Sequence, residues 1–256
     1  MKKSICFLVL FFISAIFTLN AQDKVKQFDK YVQESFKTWD IPSVAVAIVV
    51  DGEIVLEKAY GHTNWDKKNK ANENTLYPIG SISKGFCTLS LAQLIQEGKI
   101  TWNTKVKSLI PDFKLYNDYV TDNTVIEDLV SHRIGYGTFS GDLLWYHTNY
   151  SIEEIIPKLQ YVEPVYDFRN GYGYSNIMFI VAEKVIEIVS GMDYEQYVKE
   201  NIFNLLEMNR TTMEISVMQK QGNDAIGCYT SPSGEKLNCD FIPSINIKAF
   251  GGINSS

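Results

Sequence analysis

The chain is organised around one stretch, Leu76-Tyr-Pro-Ile-Gly-Ser-Ile-Ser-Lys-Gly-Phe-Cys-Thr-Leu-Ser90. Pro78 and Gly80 end the segment before it, and an apolar helical pattern then runs from Ser81 to Gly98. Residues three apart lie on one face of a helix, so the Ser81 hydroxyl and the Lys84 amine are expected side by side. The stretch therefore predicts a helix that presents a serine and a lysine together in its first turn.

Ser81 and Lys84 form a candidate nucleophile and base. A serine is a weak nucleophile at its own pKa and needs a neighbouring base, which a desolvated lysine can provide. The start of a helix also places backbone N–H groups where an oxyanion would form. A Ser-x-x-Lys tetrapeptide occurs by chance in many chains, and the simpler interpretation is that Ser81 caps the helix while Lys84 is solvated.

Tyr174 and Asn176 are a second candidate pair, directly before an apolar helical pattern from Ile177 to Val189 that Gly191 ends. A tyrosine can act as a general base only where a cation such as Lys84 lowers its pKa. Asn176 could offer its amide to a substrate carbonyl or hold that lysine in place. Taken alone, a core tyrosine and a helix-capping asparagine are the simpler interpretation.

The remaining pattern predicts a β-hairpin, a long helical middle and a strand-like segment near the end. The individual expectations are a helix from Gln27 to Trp39, strands at Val44–Val50 and Ile54–Ala59 around an Asp51-Gly52 turn, a helix from Thr124 (its possible N-cap) to Val130, a capping box at Ser151 and Glu154, and a helix from Tyr194 to Leu206.

Taken together, Ser-x-x-Lys and Tyr-x-Asn resemble the motifs of the serine β-lactamase-related family, which includes class C β-lactamases, DD-peptidases, D-aminopeptidases and esterases. The resemblance extends from about Phe28 to the end of the chain. Further segments support it in the family's order: Asp128–Gly135, Phe168–Asn176, Gly191–Thr211 and Gly251-Gly252. It implies an α+β fold in which helices flank an antiparallel sheet, with an all-helical subdomain at roughly residues 85–210.

The resemblance also implies a role for each candidate residue. Ser81 would be the acylated nucleophile, with its backbone N–H as one oxyanion donor, and Lys84 would take or relay the serine proton. Tyr174 would protonate the leaving group and activate the deacylating water. Asn176 would bind substrate or orient Lys84. The implied function is a serine hydrolase that acts on an amide or ester, such as a β-lactam, a D-amino-acid peptide or an ester.

Three further residues are expected to be structural. The resemblance places His132 outside the catalytic set, as a residue that holds the loop after the Thr124 helix. Arg133 and Arg169 are best interpreted as ion-paired scaffold residues.

One family motif is absent from this sequence. The third motif, a Lys-Thr-Gly or His-x-Gly triplet on a sheet strand, does not occur after Tyr174. In the family that strand supplies a cation for the substrate carboxylate and the second oxyanion donor, and loss of one such donor costs roughly 10²–10³ in rate. We therefore expect the C-terminal sheet strands and helix to be missing, in a fragment or a truncated family member.

The absent motif leaves a second function open. The chain could be a non-catalytic module that binds cell-wall peptide or a partner in the same cleft. An α/β-hydrolase is excluded because no Gly-x-Ser-x-Gly elbow surrounds Ser81 or Ser83.

The N-terminus predicts export. Met-Lys-Lys is followed by an apolar run from Ile5 to Leu19 and a small residue at Ala21, which is typical of a signal peptide over residues 1–21. The domain then covers residues 22–256. We expect a secreted, periplasmic or extracellular protein without stable membrane insertion once the signal is cleaved.

Composition limits the partners. The formal net charge is −6 and basic clusters are absent from the sequence, which argues against nucleic acid and anionic membranes. The expected partner is a small-molecule or peptide substrate, and the oligomeric state stays open.

Cysteines and histidines predict no metal or cofactor. Cys87 is expected to be a buried apolar residue. Cys228 and Cys239 bracket a hairpin-like stretch, and a two-residue turn at Ser233-Gly234 would place them directly opposite each other, as a disulfide or as two free thiols. The three histidines are too widely spaced to suggest a zinc site.

Overall fold

The computed structural model describes residues 23–239, 241 and 247–256, so the predicted signal peptide lies outside the described residues. The helices are α1 (23–39), α2 (Ser83–Gln96), α3 (Val106–Leu109), α4 (Asp118–Asn123), α5 (Ile126–Val130), α6 (Ile152–Ile155), α7 (Ile177–Ser190), α8 (Tyr194–Val198), α9 (Ile215–Gln221) and α10 (Lys248–Gly251). The strands are β1 (Ser43–Val50), β2 (Glu53–Gly61), β3 (Tyr77–Pro78), β4 (Cys228–Thr230), β5 (Lys236–Asn238) and β6 (Asn254–Ser255).

The strands form three separate antiparallel pairs among the described residues: β1 with β2, β3 with β6, and β4 with β5. Short 3-10 turns at Gly80–Ile82, Asp142–Leu144 and Ile156–Tyr161 and a π-helical turn at Lys199–Phe203 complete the regular structure. Within the part of the chain that the structure describes, no helix is both long and apolar enough to cross a bilayer.

The described residues divide into two compact units, and the smaller one contains residues 23–75 together with residues 223–239. Its β1–β2 hairpin confirms the predicted pair of strands, and the turn residues Asp51 and Gly52 both have positive φ, as a tight hairpin turn requires. Asp29 on α1 accepts hydrogen bonds from Lys58 and Tyr60 on β2, so the predicted first helix is fastened to the hairpin.

The second hairpin of this unit corrects the prediction for Cys228 and Cys239. The connection runs from Ser231 to Glu235 and is longer than the expected two-residue turn, so Cys228 pairs with Asn238. A shift of one residue in a strand moves a side chain to the opposite face, and the two cysteines are therefore not opposite each other. All three described cysteines are free thiols, and Cys87 is buried as expected.

The larger unit contains residues Leu76–Gly222 and the described residues from Phe241 onward. Its core is built around α7, which is buried over nearly its whole first ten residues and packs against α2, α5, α8 and α10. The predicted stop at Gly191 is confirmed, since Gly191 has a φ of 73° and its N–H bonds to the Glu187 carbonyl. This central helix positions the residues that precede it, including Asn176.

Two predicted helix starts in this unit have different outcomes. The capping box is confirmed, because the Ser151 N–H donates to Glu154 and the Glu154 N–H donates to the Ser151 hydroxyl. Thr124 as the N-cap of the next helix is wrong, since α5 begins at Ile126. There the Asp128 carboxylate accepts from the Val125 N–H, while the Thr124 hydroxyl bonds back to the Val120 carbonyl.

Candidate active site

Ser81 lies in the 3-10 turn Gly80–Ile82, which leads directly into α2. The predicted helix thus begins with a tighter turn, and its α-helical part starts at Ser83. Ser81 is exposed, whereas Lys84 in the first turn of α2 is only 7% exposed. The Lys84 Nζ donates a hydrogen bond of 3.1 Å to the Ser81 Oγ. The spacing of three residues therefore does bring the two side chains together.

Lys84 is held by acceptors from distant parts of the chain. Besides Ser81, its Nζ donates to the Asn176 Oδ1 at 2.8 Å and to the Phe250 carbonyl at 3.0 Å. The rings of Tyr174, Phe179 and Phe250 lie 4.7, 5.4 and 5.3 Å from the same nitrogen. The lysine is thus fixed in one position and enclosed by aromatic side chains.

The surroundings of Lys84 favour its neutral form. Burial lowers the pKa of Lys84 below its ordinary value. The hydrogen bond and charge of Tyr174 and the charge of the Asp142 carboxylate act to raise this pKa, but burial outweighs them. A neutral amine can accept a proton, which an ammonium cannot do. The site can therefore present a base in contact with a serine hydroxyl.

Tyr174 is packed between two aromatic residues. Its ring stacks on His132 with centroids 4.6 Å apart and meets the Phe139 ring edge-on at 5.6 Å. Its carbonyl accepts from the Phe139 N–H. Gly173 allows this approach, because a Cβ there would lie 1.9 Å from the Tyr136 carbonyl oxygen. The structure thus places Tyr174 beside the lysine at a fixed angle.

Asn176 is buried and uses both ends of its amide. Its Oδ1 accepts from Lys84, and its Nδ2 donates to the Asp142 Oδ2 at 2.8 Å. The Lys84 Nζ donates to the amide oxygen and a carboxylate can only accept, so these two neighbours define which way the amide points. Burial raises the pKa of Asp142 despite hydrogen bonds from Trp145 and Asn176 and the charge of Lys84. The four predicted residues therefore form one connected cluster.

His132 shapes the Tyr174 segment through three hydrogen bonds. Its Nδ1 accepts from the Ser175 N–H, and its carbonyl accepts from the Gly173 N–H and the Tyr166 hydroxyl. Burial and the charge of Lys84 lower the pKa of His132, in agreement with a ring nitrogen that accepts a hydrogen bond. The His132 ring is therefore neutral when its Nδ1 accepts from the Ser175 N–H.

Arg133 and Arg169 are ion-paired, as predicted. Both meet the fully buried Asp128, with Nε of Arg133 and Nη2 of Arg169 each 2.6 Å from a carboxylate oxygen. Burial alone would raise the pKa of Asp128, but hydrogen bonds from Arg169, the Val125 N–H and Arg133 outweigh it, and the pKa lies below its usual value. This cluster anchors α5 to the loop before Tyr174.

Two contributors to the cluster are missed by sequence reasoning. Asp142 follows Gly141 in a turn, and no spacing distinguishes it from other surface acids of the chain. Phe250 contributes a backbone carbonyl, which no side-chain motif reveals. The only sequence signal nearby is the Gly251-Gly252 pair, one of the segments that support the family resemblance. Among the described residues, no group of three or more His, Cys, Asp or Glu side chains could hold a metal ion.

The chain matches a known protein family. Residues 28–233 match the family model described as Beta-lactamase. The unguisins hydrolase ungD' of Aspergillus campestris is 32% identical over 213 residues, which are 80% of this chain and 39% of that protein. Protein flp of Staphylococcus aureus strain MW2 is 27% identical over 206 residues, 80% of this chain and 41% of that protein. The chain spans about two fifths of the length of these relatives.

Solved structures confirm the α+β fold that the motifs imply. The octameric penicillin-binding protein homologue from Pyrococcus abyssi is 25% identical, with a TM-score of 0.80 over 91% of this chain and 53% of that one. A class C beta-lactamase in complex with cefoxitin is 22% identical, with a TM-score of 0.73 over 92% of this chain and 63% of that one. The chain therefore has the fold of these proteins over most of its own length.

Proposed function

This chain belongs to the Beta-lactamase family, and on that premise we propose that it is a serine hydrolase which cleaves an amide or ester through an acyl-enzyme on Ser81. The observation that carries the proposal is the 3.1 Å contact between the Ser81 Oγ and the Nζ of a buried lysine. A non-catalytic binding module would not need a base whose pKa is lowered at a serine hydroxyl.

Acylation begins with transfer of the Ser81 proton to the neutral Lys84. The Ser81 Oγ then attacks the substrate carbonyl carbon, and the negative charge that develops on the carbonyl oxygen lies near the start of α2, where the Ser81 backbone N–H is one donor. Lys84 becomes an ammonium in this step, and the acceptors on Asn176 and Phe250 stabilise it.

Collapse of the tetrahedral intermediate breaks the bond to the leaving group. Tyr174 supplies the proton that the leaving amine or alcohol needs and recovers one from Lys84, which lies against its ring. In deacylation Tyr174 passes its proton to the neutral Lys84 while it accepts one from the attacking water, whose oxygen bonds to the acyl carbon. The ester bond to Ser81 then breaks, the acid leaves, and the Ser81 oxygen takes its proton from Lys84.

Asn176 serves to orient Lys84. Both ends of its amide are already engaged, one by Lys84 and one by Asp142. A direct contact with substrate would require one of these hydrogen bonds to be given up. Asp142 is then a positioning residue, because it acts on the lysine through the asparagine.

The substrate class is a small molecule or peptide with a carbonyl that a serine can attack. One relative is named a hydrolase of unguisins, and one structural neighbour holds cefoxitin. The nucleophile and base suit a β-lactam, a D-amino-acid peptide and a short ester equally well. With the predicted signal peptide, such a substrate would be met outside the cytoplasm.

Covalent labelling tests the proposal. The purified chain is incubated with a fluorophosphonate probe and, separately, with a fluorescent penicillin, and the modified peptide is identified by mass spectrometry. We expect an adduct on Ser81 that is abolished in Ser81→Ala and retained in Ser108→Ala, which removes an exposed hydroxyl on α3. Labelling that persists in Ser81→Ala would overturn the assignment. A chain that binds penicillin reversibly without any adduct would support the non-catalytic module instead.

A further inference from the structure

Helix α7 carries an acidic residue inside the core. Glu183 is only 3% exposed, two turns after Asn176, and its Oε2 accepts a hydrogen bond of 3.3 Å from the Ala249 N–H on α10. A buried carboxyl is costly to the fold unless it is hydrogen-bonded, and an apolar side chain of similar size would fill the same space. The steps proposed above make no use of Glu183.

Ala249, which donates to Glu183, is the sequence neighbour of Phe250, which accepts from Lys84. Ala249 precedes Phe250, whose carbonyl accepts from the Lys84 Nζ at 3.0 Å. Both belong to α10, a helix of four residues that packs on α2 and α7. So short a helix has little hydrogen bonding of its own, and side-chain contacts have to fix its position.

We propose that Glu183 is a positioning residue for Lys84, because its carboxyl fastens the Ala249 N–H and thereby fixes the Phe250 carbonyl against the lysine. The inference rests on the proposed function of Lys84 as a base. It accounts for an acidic residue in an otherwise apolar stretch of α7. The resulting chain of contacts runs from α7 through α10 to the first turn of α2.

Glu183 is surrounded by ionisable groups from several elements. On its own helix stands Glu187, α2 contributes Cys87, α8 and its N-cap contribute Tyr194 and Asp193, and α10 contributes Lys248. Burial and the charge of Glu187 raise the pKa of Glu183 to about 8, although Lys248 and the Ala249 N–H act in the opposite direction. At pH 7 the carboxyl is therefore mostly protonated, and it still accepts from Ala249.

Two substitutions separate hydrogen bonding from bulk. Glu183→Gln keeps an oxygen that accepts from Ala249, whereas Glu183→Leu fills the space and offers none. We expect the rate of fluorophosphonate labelling at Ser81, measured at pH 7, to fall about tenfold in the leucine variant, since small displacements of a catalytic group are costly. The glutamine variant should stay within about twofold of the wild type. Glu153→Gln, which removes an exposed carboxylate paired with Lys184, is the matched control and should leave the rate unchanged.

The outcomes against the proposal are equally definite. A folded leucine variant that labels at the wild-type rate would overturn it, and so would a glutamine variant as slow as the leucine variant. The pH profile of labelling adds a readout that a purely structural role would not move. The wild-type profile should change slope near pH 8, where Glu183 ionises, and the glutamine variant should lack this feature.

Amide hydrogen exchange tests the contact independently of activity. The Ala249 N–H should exchange slowly in the wild type and in Glu183→Gln, and fast in Glu183→Leu. Rapid exchange of Ala249 in the wild type would overturn the inference even if the leucine variant failed to fold. If the wild type showed slow exchange but no labelling, the proposed function would fail while the contact from Glu183 to α10 stood.

Discussion

Two buried clusters of the larger unit, around Asp128 and around Lys84, shift the pKa of their central residue with opposite effects on its charge. Asp128 is met by two guanidinium groups and a backbone N–H, and its pKa is held below the ordinary value, which favours the charged form. Lys84 is met chiefly by a hydroxyl, an amide and a carbonyl, and burial lowers its pKa, which favours the neutral form. Full positive charges compensate the Asp128 carboxylate, whereas the Lys84 amine is surrounded mainly by dipoles.

The difference separates a scaffold from a site. A carboxylate that is stabilised as an ion stays ionised at neutral pH, so Asp128 can hold α5 and the neighbouring loop together. A lysine whose pKa is lowered by burial gives up its proton more readily than an exposed lysine, and its neutral form can accept a proton from a serine. Substitutions at Lys84, Asp128 and Asp142 should each affect one cluster and leave the other intact.

The largest effect is expected from Lys84→Met. Methionine is of similar length and carries no proton acceptor of comparable basicity, so labelling of Ser81 should slow by roughly 10³-fold. The Asp128 cluster is untouched, and the thermal unfolding midpoint should change little. The rate is measured with the fluorophosphonate probe and the midpoint by circular dichroism. A methionine variant that labels at the wild-type rate would show that the lysine is not the base.

Asp128→Asn should do the reverse. Removal of the carboxylate leaves Arg169 without its Asp128 partner and Arg133 with Glu127 alone, and breaking a fully buried pair costs about 3–5 kcal/mol. The arginine side chains are 29% and 41% exposed, so we discount this to about 2 kcal/mol for solvent screening. Urea titration measures the loss of unfolding free energy, and the labelling rate of the folded fraction should stay at the wild-type value. A stable variant with slow labelling would reverse the assignment of the two clusters.

Asp142→Ala tests the link between Asn176 and Lys84. Without the carboxylate the asparagine amide loses its fixed orientation, and we expect labelling to slow by about tenfold. Asp142→Asn, which retains an oxygen acceptor, should lose less. Equal rates in the wild type and the alanine variant would show that Asn176 is held well enough by Lys84 alone.

The pH dependence of stability should have opposite signs for Asp128 and Glu183. The pKa of folded Asp128 lies below 3.8, so its stabilising contribution is present above that pH and is lost as pH falls through the folded pKa. The pKa of Glu183 rises from 4.5 to about 8, so its contribution is present below pH 4.5 and is lost as pH rises toward 8. Free energies of unfolding of the wild type, Asp128→Asn and Glu183→Gln across pH 3–9 check both signs. Parallel curves for the three proteins would contradict the prediction.

The parts of the site that follow from local geometry could be predicted from the sequence. Ser81 and Lys84 meet because a helical turn brings residues three apart together, and Gly191 ends α7 because its backbone adopts a positive φ. The meeting of Lys84 with Tyr174 and Asn176 was expected only from the resemblance to a family, since nothing local connects the two motifs.

The remaining contacts depend on packing between distant segments. Phe250 reaches Lys84 across 166 residues of sequence through its carbonyl, and Asp142 reaches Asn176 from a short 3-10 turn. The hairpin of Cys228 shows the same limit on a smaller scale. Its connection runs from Ser231 to Glu235 and is longer than the two-residue turn that the sequence suggests, so the strand register differs by one residue. Register and backbone acceptors are properties of the assembled fold, and residue types alone do not encode them visibly.

The protonation state of Lys84 decides whether this residue can act as the base, and nuclear magnetic resonance can measure it directly. The chain is labelled with ¹⁵N-lysine, the Nζ signal of Lys84 is assigned by its loss in Lys84→Met, and the signal is followed from pH 6 to 11. We expect a midpoint below the ordinary lysine value of 10.5. A midpoint at or above 10.5 would rule out Lys84 as the base, because the lysine would then be an ion-paired scaffold residue like the arginines around Asp128.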